Sequence, residues 1–376
     1  MVYGDNIDST ALRQEAKRRA RLASQNNPSP ASSGDDVKDL DKLYHLRFED
    51  TSNLQQPVPR KSSTLTQGAP YKVDASRFWA VLVGIDAYES NPLQGCVSDA
   101  LSMKEFLIKK LGVPERRIQC LLGSEKTSRD DPLTPSRANI VDMIYSLIDN
   151  PEIQRNDNVV IYYAGHGSSY YCSEQIPAAS ESKDCCSSDA CPIEALCPID
   201  RDTMDNDGHP IPDISDRELN ALFTQISRTK GHKITFIADC CHAGSVSRDA
   251  VSQPGVRTMF PTLHSGFNDM LLAAHERLIH LSGYKSVLSE DWQPDMSSHV
   301  VLAACQDWQT ARETRVGGKC GGNFTRQLIR ALSSGTWKKE TTYIRLMDCL
   351  NHSHSQTPVV AGEHKDECLW YQDAAT

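Results

Sequence analysis

The chain has 376 residues, 39% of them hydrophobic and 24% charged, enough apolar surface for a large core and too much for a wholly disordered chain. No apolar run reaches the roughly 18 residues a membrane span needs, and polar Met1 to Thr10 has no hydrophobic stretch behind a basic start, so a soluble, cytoplasmic protein with access to the nucleus is expected. The net charge of −9 divides into +1 over residues 1–76 and −10 over the rest, an acidic body that speaks against nucleic acid as the main partner and favours basic guests.

Residues 1–76 are rich in Ser, Asn, Gln, Asp and Lys, contain Pro28, Pro30, Pro57 and Pro59, and lack sustained apolar periodicity. Such a segment cannot bury enough apolar surface to offset its ordering entropy, which predicts a flexible leader. Its one expected element is a basic helix over residues 11–23, with Arg13, Lys17, Arg18, Arg19 and Arg21. From Arg77 the pattern changes, predicting a folded body over 77–376.

Short β-branched or aromatic runs follow at residues 78–85, 117–122, 159–163, 234–238, 299–304 and 358–361. Several are continuously apolar, as strands covered by helices on both faces must be. The expected fold is a three-layer α/β/α sandwich around a mostly parallel six-stranded sheet.

Between them, Thr134 and Pro135 suit the N-cap and first turn of a helix carrying Ile140, Met143, Ile144 and Leu147. Ser215 with Glu218 reads as a capping box ahead of Leu219, Leu222, Phe223 and Ile226, one apolar stripe for the core. Two long connections, residues 168–198 and 245–298, interrupt the alternation and suggest binding or regulatory loops. The first gathers Cys172, Cys185, Cys186, Cys191 and Cys197, whose spacings do not form two CxxC pairs, so reduced loop cysteines rather than a zinc site are expected.

The third run leads into Gly165-His166-Gly167 and the fourth into Asp239-Cys240-Cys241-His242-Ala243-Gly244. Two strands therefore deliver an imidazole and a thiol to one sheet edge, where open α/β sheets bind ligands. A thiol next to a base at a polar edge can become a nucleophile. Gly167 could present a free backbone N–H to a ligand there.

The runs Tyr162-Tyr163-Ala164-Gly165-His166-Gly167 and Asp239-Cys240-Cys241-His242-Ala243-Gly244 resemble the histidine and cysteine motifs of metacaspases, within the caspase-like cysteine peptidases, of the fungal type I-like kind. The likeness extends to Val83-Gly84-Ile85-Asp86-Ala87-Tyr88, Cys96-Val97-Ser98-Asp99-Ala100 and Cys305-Gln306-Asp307-Trp308-Gln309, and covers most of residues 77–362. The resemblance implies a caspase-like fold divided into a larger segment (77–244), a linker (245–298) and a smaller segment (299–376). It implies Cys241 as nucleophile, His166 as general acid and base, and the backbone N–H groups of Gly167 and Cys241 as holders of the oxyanion. With no third member visible in the sequence, the pair is expected to act as a dyad.

It also implies an acidic pocket for the residue before the scissile bond, here Cys96, Asp99, Ala164 and Asp239, hence cleavage after Arg or Lys in protein substrates by a monomeric zymogen with a death- or stress-related role. Ala164 stands where the family often has serine, removing one hydrogen bond to the substrate cation. The chemistry needs no cofactor. Calcium activates many relatives through an acidic cluster, to which this chain offers Asp216, but Arg217 and Arg248 oppose a cation there, with Asp249, Asp213, Asp184 or Asp189 as substitutes. Self-cleavage in the linker is expected at Arg248, Arg257, Arg277 or Lys285. The competing readings are an Asp-directed caspase-like protease, which two pocket carboxylates would repel, and a catalytically idle scaffold.

Overall fold

A computed structural model describes residues 73–128, 131–170, 193–241, 253–262, 264–289, 291–306, 309–334, 340–353 and 355–371. Nearly all of the leader, with its expected helix, lies outside the described residues, as do Cys172, Cys185, Cys186, Cys191, Arg248 and Asp249. Among the described residues no helix is long and apolar enough to cross a membrane.

In chain order the strands are β1 (Phe78–Ile85), β2 (Ile118–Gly123), β3 (Asn158–Ala164), β4 (Gly167–Tyr170), β5 (Ile193–Leu196), β6 (Ile214–Ser215), β7 (Ile234–Asp239), β8 (Val300–Ala303), β9 (Glu313–Val316), β10 (Lys319–Gly322) and β11 (Val359–Ala361). Six of them form one sheet in the order β11-β8-β7-β3-β1-β2, all pairs parallel except β8 with β11. Every residue of β1, β3 and β7 is buried, the condition that predicted a sheet covered on both faces. The covering helices are α1 (Cys96–Phe106), α2 (Arg137–Asp149), α3 (Asp216–Lys230), α4 (Phe267–Leu278), α5 (Asn323–Ser333) and α6 (Tyr343–Asp348). α1 packs with α5, and α5 with α6, while α2, α3 and α4 pack in series. The expected α/β/α sandwich with a mostly parallel six-stranded sheet is the observed architecture.

Three local expectations need correction. α2 begins two residues later than Thr134 and Pro135 suggest: Ser136 is its N-cap and accepts from Asn139 N, because the chain still turns at Pro135, where Ser136 N donates to Thr134 O at 2.8 Å. At α3 only half of the capping box forms. Ser215 accepts from Glu218 N at 3.1 Å, but the Glu218 carboxylate turns to Arg137 at 2.6 Å.

The long connections are also more ordered than plain loops. β4, β5 and β6 make a small second sheet, and residues 245–298 contain α4, which buries Met270, Leu271, Ala274 and Leu278. β9 and β10 form a hairpin whose Gly317 (φ 58°) and Gly318 (φ 81°) supply the two left-handed turn residues.

Candidate active site

β1, β3, β7 and β8 run parallel, so their C-terminal ends share one edge of the sheet. Ala164 ends β3 in register with Asp239, the last residue of β7. Two residues further, both strands deliver the expected groups: His166 and Cys241, buried at 1% and 0% exposure.

His166 is held from several sides. Its backbone N–H donates to Tyr88 Oη at 2.9 Å, the Tyr88 ring packs against the imidazole, and Tyr163 Oη donates to its carbonyl at 2.7 Å. Nε2 lies 2.7 Å from the Asn91 carbonyl oxygen. A carbonyl only accepts, so the proton sits on Nε2 and Nδ1 carries the lone pair. Nδ1 has no hydrogen-bond partner among the described residues. Burial, opposed by that hydrogen bond, lowers the imidazole pKa to about 3, keeping the resting ring neutral.

Asn91 is a contact that side-chain motifs could not show, because the group is a backbone carbonyl. The visible trace is its conformation, with φ 53° in the left-handed region that Asn tolerates. Cys241 Sγ accepts from Ala311 N at 2.8 Å. The neighbouring Cys240 is fully buried and its thiol is pushed well up by burial.

The remaining expected residues meet around a guanidinium. Arg257, from the linker, is 0% exposed. Its Nη2 donates to Asp99 Oδ2 at 2.5 Å and to Glu313 Oε1 at 3.3 Å, and its Nη1 lies 2.8 Å from Asp239 Oδ2. Asp99 does not cap α1, while Asp239 reaches the first turn of α5. Asp99 accepts instead from Gly322 N at 2.7 Å, and Asp239 from Thr325 N at 3.1 Å. The N-terminus of α1 is served by Asp86, which accepts from Cys96 N at 2.7 Å, and by Glu313, which accepts from Gly95 N at 2.8 Å.

Glu313 is the pocket residue that sequence reading missed. It lies at the start of β9, outside every recognised motif. Cys96 is buried with its Sγ 3.6 Å from Glu313 Oε1. Burial pushes Asp99 up to about 7 against the opposing charge of Arg257. The Arg257 charge is in turn strongly favoured by Asp239, Cys96 and Asp99. Ala164 has no polar side-chain atom, and Arg257 Nε lacks a hydrogen-bond partner among the described residues.

The backbone around Arg257 is extended and laid across the edge. Glu313 N donates to Gly255 O at 2.8 Å, Arg257 N to Ala311 O at 3.0 Å, and Met259 N to Gly167 O at 2.8 Å. The Arg257 carbonyl oxygen accepts from Gly167 N at 3.1 Å and Cys241 N at 3.0 Å. These two N–H groups are the pair expected to hold an oxyanion. A side chain on residue 167 would collide with the Cys241 carbonyl, which is why glycine stands there.

Of the other basic linker residues, Arg277 is exposed and paired with Asp142, Lys285 is exposed, and Arg248 lies outside the described residues. Asp216 sits in the first turn of α3 and accepts from Arg217 N at 2.7 Å. The Arg217 guanidinium lies over the Trp292 ring. Among the described residues, Asp216 belongs to no group of carboxylates, thiols and imidazoles close enough to share an ion.

Residues 79–248 match the family described as Metacaspase, peptidase C14 domain. Metacaspase-9 of Arabidopsis thaliana is 23% identical over 341 residues, covering 78% of this chain and 93% of the relative. Metacaspase-1 of Eremothecium gossypii is 29% identical over 168 residues, 44% of this chain and 32% of the relative. Metacaspase-1 of Schizosaccharomyces pombe is 21% identical over 315 residues, covering 76% and 67%.

Proposed function

The chain belongs to the metacaspase family of peptidase C14 cysteine endopeptidases, and from that premise we propose that it cleaves peptide bonds after arginine or lysine, using Cys241 and His166, with its own Arg257–Thr258 bond as first substrate. The observation that carries this reading is the placement of Arg257. Its side chain meets three carboxylates while its carbonyl oxygen accepts from Gly167 N and Cys241 N. A residue before a scissile bond must satisfy both conditions at once.

In this reading the Cys241 thiol passes its proton to His166 Nδ1 and the thiolate attacks the Arg257 carbonyl carbon. The Gly167 and Cys241 N–H groups hold the charge that develops on oxygen, a contribution worth a factor of about 10²–10³ per donor in comparable sites. His166 then protonates the departing Thr258 nitrogen, and water, activated by the same imidazole, releases the acyl group. The chemistry uses the chain's own groups and no cofactor. The Asn91 carbonyl positions the imidazole, so the dyad expected from sequence becomes a dyad with a backbone anchor.

Specificity follows from the cost of leaving buried carboxylates unpaired. Asp99, Asp239 and Glu313 favour a cationic guest, and an aspartate side chain in their midst would be repelled, which disfavours the Asp-directed alternative. The test is hydrolysis of paired fluorogenic peptides ending in Arg or Asp, by the parent and a Cys241→Ala variant, with and without millimolar calcium. Cleavage after Arg that vanishes in the variant supports the reading. Cleavage after Asp, or equal turnover by both proteins, overturns it.

A further inference from the structure

With Arg257 taken as the residue before the scissile bond, the chain beyond it is the part of the substrate that leaves, and Met259 is its second residue. Met259 is buried at 6% exposure. Its backbone N–H donates to Gly167 O at 2.8 Å, and its sulfur accepts from Arg201 Nη1 at 3.2 Å. Arg201 Nη2 also donates to the next carbonyl, Phe260 O, at 3.0 Å. One buried guanidinium thus touches both the side chain and the backbone of the departing strand.

Arg201 cannot easily turn away. It is 6% exposed, its Nε donates to Asp213 Oδ1 at 3.0 Å and its Nη2 to Asp213 Oδ2 at 2.9 Å. Asp213 is fixed in turn by Tyr170 Oη at 2.7 Å. The sulfur lies beside a half-open cavity of about 330 Å³, lined also by Tyr88, Ile199 and His264. Tyr88 is the residue that holds His166, so this cavity adjoins the reacting bond.

The catalytic step needs none of this. A buried donor aimed at a guest selects among guests. It is satisfied by an unbranched side chain carrying a neutral acceptor, and methionine has both the flexibility and a polarisable sulfur. A lysine there would set an ammonium against a guanidinium in a poorly hydrated space.

We propose that Arg201 is a second specificity determinant, which reads the second residue after the cut and selects substrates of the form Arg-Thr-Met over those with a cation at the methionine position. The inference rests on the reading of Arg257 given above. It adds that substrates cleaved in trans carry methionine or a neutral acceptor of similar length at that place.

The experiment uses the full chain and quenched peptides containing Gly-Val-Arg-Thr-Met-Phe, with products located by mass. Replacing the peptide methionine by norleucine removes the sulfur and keeps the shape, and kcat/KM should fall about threefold. Replacing it by lysine should lower cleavage at the Arg–Thr bond at least about tenfold. In the Arg201→Lys protein the methionine and norleucine peptides should converge. Because that variant also loses the fork that grips Asp213, a Met259→Leu chain provides a second measurement: it removes the sulfur at nearly constant volume, so its self-cleavage should slow about threefold while its melting temperature stays within a few degrees of the parent. Equal cleavage of all three peptides after Arg overturns this inference and leaves the Arg-directed reading intact. Failure to cleave any of them after Arg overturns both.

Discussion

Replacing Arg257 by Gln, in a Cys241→Ala background that prevents self-cleavage, should destabilise the protein and open a binding site. The guanidinium touches Asp99, Asp239 and Glu313, whose side chains are 8%, 0% and 3% exposed. Removing one partner from such a cluster leaves buried charge uncompensated, at a cost of about 3–5 kcal/mol. At about 2 °C per kcal/mol for a domain of this size, the melting temperature should fall by about 6–10 °C.

The loss should depend on pH, with a sign fixed by Asp99. Burial raises its folded pKa to about 7, above the ordinary value of about 3.9. Between those values the folded state holds a proton that the unfolded chain has released, so the contribution of this group to stability declines as pH rises. Arg257 opposes that rise, and its removal should make the variant lose more stability at pH 8 than at pH 5. Scanning calorimetry at the two pH values measures both effects.

Acetyl-arginine amide at about a hundredfold excess over its dissociation constant should restore about 2.7 kcal/mol to the variant and nothing to the parent, whose pocket is filled. A variant that melts with the parent, or a ligand that stabilises both equally, would refute the account of the pocket.

Glu313→Gln should raise KM for Arg-ending peptides and lower kcat/KM by about tenfold, because the contact to the guest guanidinium loses its charge while the Gly95 N–H keeps an acceptor. Gly167→Ala should reduce kcat by about 10²–10³, since a Cβ there meets the Cys241 carbonyl and displaces an N–H of the oxyanion pair, with circular dichroism as the folding control. His299 is buried with its pKa lowered to about 4. Stability that it supports above its ordinary pKa of about 6.5 is lost as pH falls towards 4, about 2 kcal/mol by pH 5, and His299→Asn should flatten the acid limb of the melting curve by that amount. His166, lowered to about 3 in the same way, should keep the remaining acid slope.

β1, β3 and β7 were legible because their apolar runs are continuous, as strands buried on both faces must be, while β2, β8 and β11 towards the sheet edges were legible from shorter or interrupted apolar runs. Thr134 misled because the chain makes one more turn, Ser136 N to Thr134 O, before the helix begins, a choice that depends on the path of a loop. α4 carries its own apolar stripe at Met270, Leu271, Ala274 and Leu278 and could have been read from it, had the linker prolines not suggested loop throughout. The thiol, the imidazole and Asp239 stand in local motifs at strand ends and Asp99 in the motif that opens α1, so sequence order alone brings them together. Glu313 and the Asn91 carbonyl do not. The first enters the pocket from a hairpin 74 positions after Asp239 in the chain, and the second acts through a group every residue possesses. Among four basic linker residues, sequence could not single out Arg257, because the choice depends on which one the fold draws into the acidic pocket.

The central claim is that the Arg257–Thr258 bond lies in the cleavage position, and intact-mass analysis of the purified full chain tests it directly. On activation, the parent should yield one fragment ending at Arg257 and one beginning at Thr258, while Cys241→Ala stays whole and Arg257→Gln is uncut at that bond. Cleavage at the same bond in Cys241→Ala, or a parent cut elsewhere in the linker while Arg257–Thr258 stays intact, would contradict it.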